Sequence, residues 1–196
     1  MRFDPEVIAD ESSLWSHFKS GDKAAFASIY ERYAGTLYNY GFHISGDGQI
    51  VEDAIQDLFV VLWQSRERLS PTTSIKYYLF RCLRRQIVKL SGKAESPIPA
   101  WEEALWPNEP SAEMQIIAQE SEARQWKELE AALRELTPRQ LEAIRLHYYE
   151  GFDLATIASI MEMNEQSVRN ILHRSLYRLR HVMHLLVLCW GVRGEM

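Results

Sequence analysis

Apolar side chains recur at spacings of three and four along nearly the whole of this chain, and no stretch alternates with a period of two. That spacing lines one face of a helix and does not suit a half-buried strand. An all-α fold follows. Pro97, Pro99, Pro107 and Pro110 then forbid a long regular helix in one short, acidic stretch. The helical signal is thereby cut in two, and 196 residues accommodate two small domains as readily as one ordinary domain. At 46% hydrophobic residues, both halves have enough apolar surface to bury a core.

In the first half, Leu14, Phe18, Phe26, Ile29, Tyr30, Tyr33, Leu37 and Tyr40 imply two helices parted at Ser20-Gly21-Asp22. Gly46-Asp47-Gly48 parts the chain again. Val51, Ala54, Ile55, Leu58, Phe59, Leu62 and Trp63 then form the stripe of an amphipathic helix. Ser70-Pro71-Thr72-Thr73 reads as a loop, with Ser74 capping a helix that runs to Leu90. In the second half, Trp126, Leu129, Leu133 and Leu136 line one side of a helix. Thr137-Pro138-Arg139-Gln140 has the cap, the first-turn proline and the glutamine of a capping box. That helix ends near Gly151. A short helix around Leu154 to Met161 follows, then a turn, then a long helix from Glu165 with Asn164 as its cap.

The net charge of −5 looks unfavourable for a nucleic-acid partner, but the charge is segregated. Residues 93–122 carry −6, which leaves +1 for the rest. Between residues 66 and 92, seven cations face Glu67 alone. Local sign governs attraction to phosphates. Trp101 and Trp106 are unusual in such a spacer. They either dock on a partner or on the chain's own domains, or pack partly against a neighbouring helix.

Several classes are disfavoured. Cys82 and Cys189 give no disulfide framework and no metal spacing. There is no Gly-rich phosphate loop, no nucleophile elbow and no metal-ligand cluster, so no enzyme, cofactor or small-molecule substrate is expected. The start, Met1-Arg2-Phe3-Asp4-Pro5, is unlike a signal peptide, and the apolar run Leu185 to Trp190 is too short for a membrane span. A cytoplasmic protein without membrane insertion is expected.

Two helices carry chemistry. On the helix from Glu165, Val168, Ile171, Leu172, Ser175, Leu179 and Val182 share one side. Gln166, Arg169, Asn170, His173, Tyr177 and Arg180 share the other. A lone polar face is ordinarily just solvated. Here the preceding Ile157, Ala158, Ile160 and Met161 supply a partner helix, and the pair reads as a helix-turn-helix. Residues near the start of a recognition helix reach base edges in the major groove. Arg169 suits guanine, and Gln166 or Asn170 suits adenine. Arg174, Arg178 and Arg180 suit phosphates, which position without specifying.

On the helix from Ser74, the expected buried side is Leu79, Cys82, Leu83, Gln86, Ile87 and Leu90. The opposite side is Tyr77, Phe80, Arg81, Arg84, Arg85 and Val88. Aromatics interleaved with arginines suit unpaired DNA, because rings stack on bases while cations follow the backbone. Opening a base step costs about 1.4 kcal/mol, and stacking one base returns about 1–3 kcal/mol. One or two such contacts can hold a small bubble. For any single ring, ordinary packing is an equally good reading.

In this combination the chain resembles bacterial sigma-70 family sigma factors, in the extracytoplasmic-function (ECF) group. The stretch from Val51 to Trp63 resembles the region-two helix that docks on core RNA polymerase. By that resemblance Asp53, Gln56, Asp57 and Val60 are core-binding candidates. Thr73 to Arg81 resembles the segment that melts and reads the start-proximal promoter element, which implicates Lys76, Tyr77, Phe80, Arg81, Arg84 and Arg85. Leu136 to Gln140, Ile157-Ala158, Val168 and Leu172-His173-Arg174 resemble region four, which reads the upstream element. The implied partners are core RNA polymerase, promoter DNA and an anti-sigma factor. The implied division is 1–92 for region two, 93–121 for an acidic linker, 122–184 for region four and 185–196 for a tail. Three departures stand out: Arg84-Arg85 where the family usually has asparagine after the arginine, Glu162 in place of the usual turn glycine, and Ala155-Thr156 in place of glutamates. Without glycine, the left-handed turn is expected to differ.

Overall fold

A computed structural model describes residues 5–91, 133 and 135–191, with side chains over 11–91, 133 and 135–179. Trp101, Trp106, Trp126 and Leu129 lie outside the described residues, and so does the linker. Every regular element among the described residues is helical. The chain divides into two compact units, the first carrying the helices up to Ser91 and the second the bulk of the helices from Pro138 onward.

The first unit holds α1 (Pro5–Lys19), α2 (Lys23–Ser45), α3 (Gly48–Ser65) and α4 (Ile75–Ser91), with a 3₁₀ turn at Arg66–Arg68. Local chemistry sets the boundaries. Asp22 caps α2, accepting the N–H of Ala24 at 2.8 Å. Gly46 ends α2 in the left-handed region, φ 71°, and Asp47 at once caps α3 by accepting the N–H of Gln49 at 2.9 Å. Apolar faces of α2, α3 and α4 meet around Leu37, Val51, Ala54, Leu79 and Leu83, all fully buried. Trp15 and Phe18 seal one side from α1.

The buried arc of α4 differs from the expected one. Ile75, Leu79, Phe80, Leu83 and Ile87 are buried, while Cys82 and Gln86 are half-buried and Leu90 is 46% exposed. The reason is that α4 packs against both α2 and α3, so its apolar arc is wider and rotated. Phe80, about 100° round the helix from Leu79, falls inside that arc.

From Pro138 onward the chain forms α5 (Pro138–Ile144), a π-helical turn at Arg145–Tyr149, α6 (Leu154–Ile160) and α7 (Glu165–Gly191), all but residues 159–162 grouping with the second unit. The capping box forms: Thr137 Oγ1 accepts from Gln140 N at 3.4 Å, and Gln140 Oε1 accepts from Thr137 N at 2.9 Å. Leu136 and Leu179 pack with Leu133, Leu141 and Ile144, which joins α5 to α7. The backbone of α7 continues through residue 184 to Gly191, so the segment expected as a separate tail begins as helix.

Candidate nucleic-acid interface

The helix-turn-helix is built from α6, its turn and α7. Asp153 starts α6, accepting the N–H of Thr156 at 2.7 Å. Those hydrogen bonds hold its carboxyl below the usual carboxylate range. Met163 N donates to Ala158 O at 2.9 Å, and Asn164 Oδ1 accepts from Ser167 N at 2.7 Å, which starts α7. Glu162 takes φ 54°, the one positive value at a non-glycine residue among those described. The expected change of turn therefore does not occur. Glutamate adopts the left-handed conformation itself, with Ile160, Met161 and Val168 buried on either side.

On α7, Val168, Leu172, Ser175 and Leu179 are buried. Ser175 satisfies its hydroxyl by donating to Ile171 O at 2.7 Å. Gln166, Arg169, Asn170, His173, Arg174, Tyr177 and Arg178 are exposed, and Tyr177 is 64% accessible. The side chain of Arg180 lies outside the described residues. Two pairs order the first turns of this face: Arg169 bridges to Glu165 at 3.1 Å, and Gln166 Nε2 donates to Asn170 Oδ1 at 3.1 Å. Arg178 is partly committed elsewhere, donating to Glu135 O at 3.1 Å.

On α4, Lys76, Tyr77, Arg81 and Arg84 are half-buried and Arg85 is exposed. Arg81 Nη1 donates to Tyr77 Oη at 3.0 Å, which places one ring and one cation side by side. Phe80 does not join them. It is fully buried, 4.7 Å from the ring of Tyr40, and Lys76 Nζ lies 5.6 Å from its centroid. Its expected role on the DNA-facing side is withdrawn, since a ring in the core cannot stack on a base. Burial pushes the Cys82 thiol up, against the opposing pull of Tyr78, Arg85 and Arg81, so it stays protonated near neutrality.

On α3, Asp53, Gln56, Asp57 and Val60 are all exposed, but they divide between two sides. Gln56 and Val60 line a groove of about 720 Å³ between α2 and α3, with Phe26, Tyr30, Tyr38, Phe59 and Trp63. Asp53 accepts from Gln49 Nε2 at 3.1 Å, and Asp57 accepts from Gln86 Nε2 at 3.2 Å, toward α4. The α2 aromatics of this groove are not distinguished by sequence. Tyr30, 47% exposed, belongs to an apolar stripe that reads as core. Only the pairing of α2 with α3 exposes its ring edge-on to Phe59, 4.9 Å away.

Together these features define a regulatory DNA-binding protein with a helix-turn-helix. Residues 29–95 match the family model for Sigma-70 region 2, and residues 126–179 match that for Sigma-70, region 4. The ECF RNA polymerase sigma factor SigL of Mycobacterium tuberculosis is 25% identical over 82% of this chain and 90% of its own. The ECF RNA polymerase sigma factor SigX of Bacillus subtilis is 24% identical over 82% of this chain and 84% of its own. The fold is shared with CnrH, solved in complex with the cytosolic domain of CnrY, at TM-score 0.57 and 18% identity over 89% of this chain and 97% of that one. It is shared too with the sigma factor RpoE from Bartonella quintana, solved with the anti-sigma factor NepR, at TM-score 0.53 and 19% identity over 81% and 96%. This chain belongs to the sigma-70 family, in its extracytoplasmic-function group. Among the described residues, no helix is long and apolar enough to cross a membrane.

Proposed function

We propose that this sigma factor directs transcription initiation by holding core RNA polymerase with α3 while α7 and α4 hold promoter DNA at two places. The observation that carries the reading is the pair of family matches, regions two and four in chain order, each falling on helices with exposed polar or basic faces. Gln166, Arg169, Asn170 and His173 read the upstream duplex through the major groove. Arg174, Tyr177, Arg178 and Arg180 set its register on the phosphates. Tyr77 stacks on an unpaired base downstream while Lys76, Arg81, Arg84 and Arg85 follow the strand.

Asp53, Gln56, Asp57 and Val60 contact core polymerase, with the α2/α3 groove extending that surface. The assigned parts are 1–92, 93–121, 122–184 and 185–196, the last beginning within α7. The chain performs no catalysis, takes no cofactor and works in the cytoplasm, where polymerase and promoter are. An anti-sigma factor that occupies these faces keeps it idle; the sigma factor RpoE, which shares the fold, is solved in complex with the anti-sigma factor NepR. The test is capture of core RNA polymerase by the tagged, folded chain, followed by transcription from a bound promoter. Tight promoter binding with no polymerase retained overturns the proposal in favour of a polymerase-independent regulator.

A further inference from the structure

One half-buried carboxylate ties three helices together at the start of α4. Glu11 on α1 accepts the backbone N–H of Ile75, the first residue of α4, through Oε2 at 3.0 Å. Its other oxygen, Oε1, accepts the hydroxyl of Tyr33, which is buried on α2. One turn further along α1, Trp15 Nε1 donates to Ser70 O at 3.0 Å, in the loop leading into α4. Inside that loop, Thr72 Oγ1 accepts the N–H of Ser74 at 3.2 Å, and Ser74 Oγ accepts the N–H of Tyr77 at 3.2 Å.

The first N–H groups of a helix have no intrahelical partner and sit at its positive end. Here Ile75 and Tyr77, two of those donors, are satisfied from within the protein. The start of α4 is therefore fixed before any DNA arrives, and its Ile75 N–H is not left to a phosphate. A carboxylate suits the position better than an amide. It offers two acceptors and a charge that the helix end favours. Tyr77, the ring proposed to stack, lies in this first turn and is hydrogen-bonded to Arg81 one turn on.

We infer that Glu11 is a positioning residue for strand capture: it locks the 70–74 loop and the first turn of α4 so that Tyr77 and Arg81 meet an unpaired strand already in register. The inference rests on the reading of α4 given above. Preorganisation of this kind raises affinity by removing an ordering cost from the binding step. Loss of a charge-assisted hydrogen bond then lowers single-strand affinity on the order of tenfold, with little effect on duplex held by α7.

The test uses holoenzyme assembled from core polymerase and the full chain. Probes are a labelled mixed-sequence single-stranded DNA and the corresponding duplex, read by anisotropy, with thermal melting of each variant alongside. Glu11→Ala is expected to lose single-strand affinity while duplex affinity and core binding hold. Glu11→Gln, which keeps one acceptor for the Ile75 N–H but neither the charge nor the second acceptor, is expected to recover part of it. Single-strand affinity unchanged in Glu11→Ala, or falling in step with duplex affinity and melting temperature, overturns the inference. If Glu11→Ala does not fold, Glu11→Asp decides, because it keeps the charge but falls a methylene short of Ile75. Lowered single-strand affinity then supports the inference and unchanged affinity overturns it. Tyr77→Ala separates the two levels: if it leaves single-strand binding intact, the reading of α4 itself fails.

Discussion

Gly41 offers a quantitative test of how the first unit is packed. It is buried on α2, and a Cβ built there would lie 2.8 Å from Val51 Cγ1 on α3 and 3.0 Å from Ile87 Cδ1 on α4. Both partners are fully buried. Alanine in a helix interior gains about 0.5–1 kcal/mol over glycine from backbone entropy and propensity. Against this, an added methyl in a filled core costs roughly 1–3 kcal/mol. The Val51 contact decides the sign. Ile87 Cδ1 is the far end of its side chain and can turn aside, whereas Val51 is branched at Cβ, has one favoured rotamer in a helix and offers no escape.

Gly41→Ala is therefore expected to destabilise the first unit by about 1 kcal/mol, a fall in melting temperature of roughly 4–8 °C for a unit of this size. Urea unfolding followed by circular dichroism measures the effect. Val51→Ala makes room for the new methyl, so the double variant is expected to be less destabilised than the two single losses summed. A Gly41→Ala chain as stable as the parent, or strict additivity in the double variant, refutes the argument that these three helices meet at van der Waals limits.

On α7, Arg169→Ala is expected to change which upstream sequence is preferred, by about 1–3 kcal/mol of discrimination. Arg174→Ala is expected to weaken all sequences alike and flatten the salt dependence. Binding titrations over a panel of duplexes at two salt concentrations distinguish the two effects. Phe80→Ala is expected to cost about 3–5 kcal/mol of stability as a core deletion, while Tyr77→Ala leaves melting nearly unchanged and lowers affinity for unpaired DNA. Comparable melting temperatures for the two variants would contradict the placement of Phe80. Asp153→Ala is expected to cost about 0.5–2 kcal/mol through loss of the α6 cap. Because the folded carboxyl titrates below its unfolded value of about 3.9, that contribution is complete above this pH and disappears as pH falls through the folded value. Parent and variant unfolding curves are expected to differ by a constant amount from neutrality to about pH 5 and to converge in stronger acid.

Much of the fold is readable from local chemistry. Asp22, Asp47, Thr137 and Asn164 each satisfy N–H groups within a few residues of themselves, so the chain can be parsed before any tertiary contact is known. The face of α7 is readable for a similar reason: its N-terminal half has a single buried side, and period alone separates Val168 and Leu172 from Arg169 and Asn170. The face of α4 is not, because two neighbours widen its buried arc and turn Phe80 inward. Periodicity contains no term for a second neighbour. The π turn at Arg145–Tyr149, which stacks Arg145 5.4 Å over Tyr149, leaves no local signature either. Least readable is Glu11, whose partners lie 22 and 64 residues away and are brought to it only by the packing of α1.

The chain passes from α6 to α7 through a single left-handed backbone position flanked by buried side chains. Gln166, Arg169, Asn170 and His173 stand apart from those buried side chains, since all four are exposed. On the reading of α7 proposed above, the promoter vocabulary of this factor is an interchangeable lettering: new letters can be set at those four positions while the press that holds them stays as it is.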